Sequence, residues 1–558
     1  MCSCLSSALA VETISADSIR PGMKGYGLSV FSGYEVERFE VEVVDVMRNV
    51  SPRRDMILGR LSGAGLERSG VIAGMSGSPV YIEGKLAGAV AYAWGFSKEP
   101  LAGITPINEM LDIWNLPAGT PGTGIEKRSS NDPPALSPLL VPVALSGYTA
   151  QLADLVRPRL AEFGLVPVAA AGTEVETQVH RLDSLLVPGG AVGVALVDGD
   201  VSLAAIGTLT WREGNRIIAF GHPMFSAGAT SLPMTGGKIH TVMPSLATSF
   251  KLFSPSRPVG TITQDRLTGI AGTIGPVPEM IPVRVAVNSP ATKHVYSCRV
   301  VDHPALAADM VAIALAEILF STEGALEDMT LRSEMRITVE DTLTVVVRHY
   351  LAEEGPAARF YERVSHELDA VFQNRLRKLT VTGIEFKLDF IPGQSRSRLV
   401  SCRTDRMVVR PGETVTLSIT TEDRLGRAEV RSEKFQVPLA TQSGKLTVVV
   451  GSRDSIQYRE SMRAPGAHEP RTLSGLWRLL ESSGSENELV IAGYVSSTGF
   501  TVGDRELPAP PPSLRRVIAT TAEGQPVQTT SSSKVFERST MLDQMVLGTA
   551  ELTLEVRR

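Results

Sequence analysis

The stretch that most constrains this chain is Gly74-Met75-Ser76-Gly77-Ser78-Pro79, followed by Val80-Tyr81-Ile82-Glu83-Gly84-Lys85-Leu86-Ala87-Gly88-Ala89-Val90. The apolar run, the tight turn at Gly84 and the second apolar run read as a β-hairpin, so the six residues before it form a turn that leads into sheet. A serine hydroxyl attacks a carbonyl only when a base takes its proton and nearby donors hold the developing oxyanion, so a nucleophilic serine needs such a turn. Gly74 can take backbone angles closed to other residues and leave its N–H pointing, with that of Ser76, at one spot. The bland alternative is a glycine-serine loop between strands; Pro79 and the hairpin favour the nucleophile turn.

Fifty glycines and 35 prolines separate many short Val/Thr/Ile runs, which favours a mainly β architecture. With 558 residues the chain exceeds a single core and implies several domains. The net charge of -5 gives no basis for capturing nucleic acid or an anionic membrane by bulk charge. No cluster of Cys and His has metal-ligand spacing, and no run of about 18 apolar residues predicts a transmembrane helix. Ala8-Leu9-Ala10 fits a small-residue signal-peptidase site, although the start lacks a basic region and a full apolar stretch. Residues 1–17 are therefore read as a leader or clipped export signal, with an extracytoplasmic location, periplasmic or secreted.

Residues 18–117 read as one β-barrel half bearing Ser76, and 118–138, rich in Gly, Pro, Ser and Asn, as a linker. Residues 139–300 begin with a helical stretch at 149–163 and continue as strands, giving a second barrel half. Residues 301–378 mix helix and strand as a connector. An amphipathic helix is expected at 356–376, with Phe360, Val364, Leu368 and Val371 on one face. Residues 379–451, with alternating runs around Arg410-Pro411-Gly412-Glu413, suggest an immunoglobulin-like sandwich. Residues 452–472 read as a linker and 473–558 as a C-terminal β-rich domain.

Of the eight histidines, His222 is the one that leaves an apolar strand at a Gly-His-Pro corner, in Arg216-Ile217-Ile218-Ala219-Phe220-Gly221-His222-Pro223. A histidine closing a strand is commonly structural; paired with Ser76 it becomes the natural general base. An acid would fix the imidazole tautomer, and the candidates are Asp265, 43 residues after His222, and then Asp200. Either also reads as a turn or capping aspartate, and Asp265 as an ion-pair partner of Arg266.

At these residues the chain resembles the SpoIVB-type serine peptidase family of the chymotrypsin-like clan, whose best-known member is a bacterial sporulation protease acting outside the cytoplasm. The likeness rests on Gly74 to Val90, Thr105-Pro106-Ile107, Ile206-Gly207-Thr208-Leu209-Thr210 through His222, and Gly260-Thr261-Ile262 with Gly269-Ile270-Ala271-Gly272. It spans roughly residues 18–300. The resemblance implies a chymotrypsin-like double β-barrel, a nucleophile at Ser76 and a histidine base at His222. Two departures stand out. The Ser-bearing half precedes the His-bearing half, the reverse of the sporulation protease, and the aspartate that precedes its serine is matched here by Ser62. A triad can be reached in several chain orders. The sporulation protease's PDZ module has no counterpart.

The reading is a serine endopeptidase, or an autoprocessing peptidase, with Ser76, His222 and Asp265 as its triad and the N–H groups of Gly74 and Ser76 as its oxyanion hole. It needs no cofactor, acts on protein or peptide, and has an envelope-associated protein as a candidate partner. The alternative is a catalytically inactive envelope or surface protein that keeps the barrels as a scaffold and binds through its C-terminal β-domains.

Overall fold

The computed structural model describes residues 11–557 apart from 96, 118, 120–124, 126–136, 170–184, 291, 324–328, 341–342, 353–354, 466–468, 484–485, 503–504, 508–509, 512, 515–516 and 518–526. The architecture is mainly β, with 54% strand and 18% helix. Two compact units are present, one from the described residues of Met1–Val283 and Tyr296–Thr322, the other from Arg284–Val295 and Glu323–Arg558.

The first unit contains two closed barrels. Strands β1 (Lys24–Val30), β2 (Val36–Ser51), β3 (Arg54–Ser62), β4 (Pro79–Ile82), β5 (Lys85–Ala93) and β6 (Leu101–Pro106) pair in the ring β4-β1-β2-β3-β6-β5, which closes because β5 also pairs with β4. Strict alternation gives the ring its inner face: in β2, Phe39, Val41 and Val43 are buried while Arg38, Glu40 and Glu42 face solvent. The inward residues meet Ile57, Leu61, Met75, Val80, Ile82 and Ile104 in one core.

The second ring consists of β7 (Ala191–Gly199), β8 (Leu203–Glu213), β9 (Arg216–Ala219), β10 (Gly228–Met243), β11 (Phe250–Arg266) and β12 (Gly269–Ile274). Its order is β7-β10-β11-β12-β9-β8, and β8 returns to β7 to close it. The helix expected at 149–163 is Ala150–Glu162, started by Thr149, whose hydroxyl accepts from the Leu152 N–H. Two six-stranded rings in sequence make the chymotrypsin-like double barrel.

The leader expected over 1–17 needs a correction. Residues 1–10 lie outside the described residues, but Leu86 N–H donates to Glu12 O at 2.8 Å and Ile14 N–H to Leu86 O at 3.0 Å. Residues 12–14 therefore pair with β5 at Leu86, and Ile14 and Ala16 are buried. The linker at 118–138 lies almost wholly outside the described residues.

In the second unit the helix Pro356–Phe372 buries Phe360, Val364, Leu368 and Val371 on one face. Beyond it the two β pieces read as separate domains form one sandwich. Gly444–Ser452 pairs with both Glu488–Val502 and Thr549–Val556, and a single core draws Leu399, Val415, Ile419, Val448, Ile491 and Leu554 from both sheets. Nor is 452–472 wholly a linker, because Arg453–Arg463 is a helix capped by Ser452. That helix buries little beyond Ile456 and is held by ion pairs, Arg453 to Glu488 and Arg463 to Glu506 among them, so it carries no apolar periodicity to reveal it. Among the described residues Cys298 and Cys402 are free thiols. Among the described residues no helix is long and apolar enough to cross a membrane.

Candidate active site

Ser76 lies on the connection between β3 and β4, and both barrels grip its turn. Within the first barrel, Met75 N–H donates to Ile72 O at 3.0 Å, Gly77 N–H to Val90 O at 2.7 Å and Ser78 N–H to Met75 O at 2.9 Å. The Met75 side chain sinks into the first core, which contributes about 1.5–3 kcal/mol and fixes which way the turn faces. From the second barrel, Thr208 N–H donates to Ser76 O at 2.7 Å, Thr208 Oγ1 to Gly74 O at 2.9 Å and Thr210 Oγ1 to Gly77 O at 2.7 Å.

The carbonyls of Gly74, Ser76 and Gly77 are thus all taken. The N–H groups of Gly74 and Ser76, in contrast, donate to no partner among the described residues. Buried donors left without acceptors are rare in folded proteins, and two in one turn is the arrangement an oxyanion hole requires. Gly74 and Gly77 have φ of +97° and +95°, in the left-handed region. At Gly77 a side chain is excluded outright, since a Cβ would stand 1.9 Å from Thr208 O and 2.4 Å from Phe220 N.

His222 follows the end of β9. Phe220 and Gly221 have φ of 72° and 70°, and a phenylalanine in that region stores strain that its surroundings must enforce. Thr105 Oγ1, on β6 of the first barrel, supplies part of that restraint by donating to Gly221 O at 2.7 Å. His222 Nδ1 lies 2.7 Å from Pro223 O. A carbonyl can only accept, so this contact puts a proton on Nδ1; in the neutral ring that leaves the lone pair on Nε2, the tautomer a general base needs.

The serine turn and the histidine corner meet where Phe220 N abuts Gly77, and the Phe220 ring centroid lies 6.0 Å from that of His222. Ser76 and His222 are both 0% exposed. Ser76 Oγ makes no hydrogen bond among the described residues, so a closed Ser76–His222 hydrogen bond is not formed in this structure.

Asp265 is buried on β11 and accepts three backbone N–H groups, from Met224 at 2.9 Å, Phe225 at 2.7 Å and Ala227 at 3.2 Å. It thus braces the loop that leaves His222. Burial pushes its carboxyl up to about 6 despite those hydrogen bonds, which pull the other way. The Arg266 charge also pulls it down, as the last of these influences, while the Arg266 Nε donates to Gln264 Oε1 at 2.8 Å. Asp200, the second candidate acid, is an exposed turn aspartate that accepts the Ser297 N–H at 2.7 Å and belongs to the β7–β8 turn. Ser62 ends β3, paired with Glu40.

Several site residues escaped the sequence reading: Thr208, Thr210, Thr105, Ser29 and Lys251. Thr208 and Thr210 alternate with Gly207 and Leu209 in a strand that reads as half-exposed, whereas both threonines are fully buried. Lys251, between Phe250 and Leu252, reads as an outward residue. Its side chain instead points inward on the same face as Phe253, and all of it is buried. Its Nζ donates to Ser29 Oγ at 2.9 Å and to Thr208 Oγ1 at 3.3 Å. Among the described residues no group of three or more His, Cys, Asp or Glu could hold a metal ion.

The family model described as SpoIVB peptidase S55 matches residues 8–111, the segment that runs through the first barrel, the Ser76 turn and Thr105. Comparison with curated proteins and with solved structures gave no match. Over residues 8–111 the chain, with the Ser76-bearing barrel, is therefore similar to the SpoIVB peptidase S55 family.

Proposed function

We propose that the chain is a SpoIVB-like serine endopeptidase working through an acyl-enzyme formed on Ser76. The observation that carries this reading is the Ser76 turn itself. Its carbonyls are clamped by the barrel that bears His222, and the N–H groups of Gly74 and Ser76 have no acceptor among the described residues. In this mechanism His222 Nε2 takes the Ser76 proton as Oγ adds to the peptide carbonyl, and the two N–H groups receive the oxyanion. The imidazolium then gives its proton to the leaving amine, and water, activated by the same imidazole, releases the acyl group. The Pro223 carbonyl accepts from Nδ1 throughout, and Asp265 keeps that carbonyl in place by bracing Met224, Phe225 and Ala227. Asp265 is on this account a positioning residue. The reaction calls for no cofactor.

The substrate is a protein or peptide, with a segment of this chain as one candidate, and the proposed site of action is outside the cytoplasm. Because Ser76 and His222 are 0% exposed, substrate entry requires the turn or the His222 corner to open. The same burial favours the second reading, a scaffold that keeps the turn for its geometry and has no catalytic access. An alkyl fluorophosphonate probe separates them on the folded chain. The peptidase reading expects one adduct on Ser76, lost in Ser76→Ala and reduced in His222→Ala; absence of any adduct on folded protein, intact or after limited proteolysis, would sink it.

A further inference from the structure

A buried lysine lies against the serine turn and takes no part in the mechanism above. Lys251 is 0% exposed, and among the described residues its Nζ has no carboxylate partner. The groups facing the amine are hydroxyls: Ser29 from β1 and Thr208 from β8. The turn contributes Ser78, linked through Ser29, and Gly74, which lies against the stem. Among the described residues no charged side chain from these elements faces it. A β-carbon built on Gly74 would lie 3.2 Å from Lys251 Cδ and 3.4 Å from its Cβ and Cγ, so the alkyl stem forms the floor under Gly74. The backbone of Lys251 joins the same turn, its N–H donating to Ala73 O at 3.1 Å.

We propose that Lys251 is a positioning residue of the Ser76 site, linking Ser78 and Ser29 to Thr208 so that Thr208 holds Gly74 O and aims the Gly74 and Ser76 N–H groups at the oxyanion. The inference rests on the peptidase reading and adds a residue to it. The distances trace a continuous path: Ser78 Oγ to Ser29 Oγ at 3.1 Å, Ser29 Oγ to Lys251 Nζ at 2.9 Å, Nζ to Thr208 Oγ1 at 3.3 Å, and Thr208 Oγ1 to Gly74 O at 2.9 Å. An uncharged amine has two N–H groups, and this path uses both: Nζ donates to Ser29 and to Thr208, Ser78 also donates to Ser29, and Thr208 donates to the carbonyl. An ammonium would bring a third N–H with no acceptor on this path, and its charge would sit beside the turn without a counter-ion. Burial alone lowers the Lys251 amine to about 7, which agrees with the uncharged form above that pH.

The test is the rate of fluorophosphonate labelling of the full chain as a function of pH, in wild type, Lys251→Met, Thr208→Val and Thr208→Ser. Met fills the stem and removes the amine. Lys251→Met and Thr208→Val should label about ten- to a hundredfold more slowly, the range expected when oxyanion donors are mis-aimed rather than removed. Thr208→Ser, which keeps the hydroxyl, should restore most of the rate. Wild type should lose rate on acidification through about pH 7 with an inflection that Lys251→Met lacks. NMR of lysine labelled with carbon-13 at Cε, in Ser76→Ala protein, should show one amine titrating near that pH, absent when Lys251 is replaced by Met. If Lys251→Met does not fold, the Thr208 pair and the NMR titration decide. Labelled wild type with unchanged rates in Lys251→Met and Thr208→Val overturns the inference and leaves the peptidase reading intact. Unlabelled wild type removes the peptidase reading, and the role assigned to Lys251 with it.

Discussion

Lys251 also makes a prediction about stability that requires no enzymatic activity. A lysine ordinarily titrates at 10.5, whereas burial lowers this one to about 7 in the folded chain. Between those values the unfolded chain binds a proton that the folded chain does not, so stability falls as the pH drops from about 10.5 to about 7 and levels off below. At 1.36 kcal/mol per pH unit, acidification from about pH 9.5 to about pH 7 should cost about 3 kcal/mol, allowing for half-protonation of the folded form at the lower end. Lys251→Met abolishes this term. Its unfolding free energy, relative to wild type, should therefore improve by about 3 kcal/mol over the same interval. The assay is guanidinium unfolding followed by tryptophan fluorescence in a Trp477→Phe background, because Trp94, Trp114 and Trp211 all lie in the first unit. Parallel pH dependences in wild type and Lys251→Met would refute the reasoning, since they would mean that the amine stays charged on folding.

Asp265 gives the opposite sign at lower pH: its carboxyl is raised from 3.8 to about 6, so the folded chain holds the extra proton and stability falls as pH rises through that window, by roughly 3 kcal/mol. Thermal unfolding from about pH 4 to about pH 7 should show that fall in wild type and a flatter profile in Asp265→Asn, whose amide also cannot accept all three N–H groups. Gly77→Ala should cost roughly 3 kcal/mol or more, because its β-carbon meets the backbone of Thr208 and Phe220; a denaturation midpoint near wild type would contradict that packing. Thr105→Val leaves the buried Gly221 carbonyl without its hydroxyl donor, for a loss of about 1–3 kcal/mol and slower fluorophosphonate labelling, while Thr105→Ser should recover both.

The serine turn was legible because its geometry is local. Glycines that permit positive φ, a proline that ends the turn and a hairpin with its own turn glycine lie within 17 consecutive residues, and each acts on its immediate neighbours. The mainly β character was legible for the same reason, since alternation such as that of β2 records which face each residue takes. The helices Ala150–Glu162 and Pro356–Phe372 were both expected, the second from an apolar stripe at helical spacing. The helix Arg453–Arg463 did not, because ion pairs to distant strands take the place of an apolar face.

Tertiary structure alone decided how the second half of the site is built. Two six-stranded rings close because strands far apart in sequence pair, β4 with β1 and β10 with β7, and nothing local in either member names its partner. The same holds for polar residues that the folded chain turns inward. Thr208 and Lys251 have the composition and spacing of solvent-facing positions; only the packing of one barrel on the other makes a hydroxyl and an amine the supports of Gly74. The sequence proposed an acid for His222, and the folded chain gives Asp265 a different task, bracing the loop whose Pro223 carbonyl accepts from the imidazole. The nucleophile turn is thus written in adjacent residues, whereas its supports and the histidine's partner come from hydrogen bonds whose two ends the chain brings together only on folding.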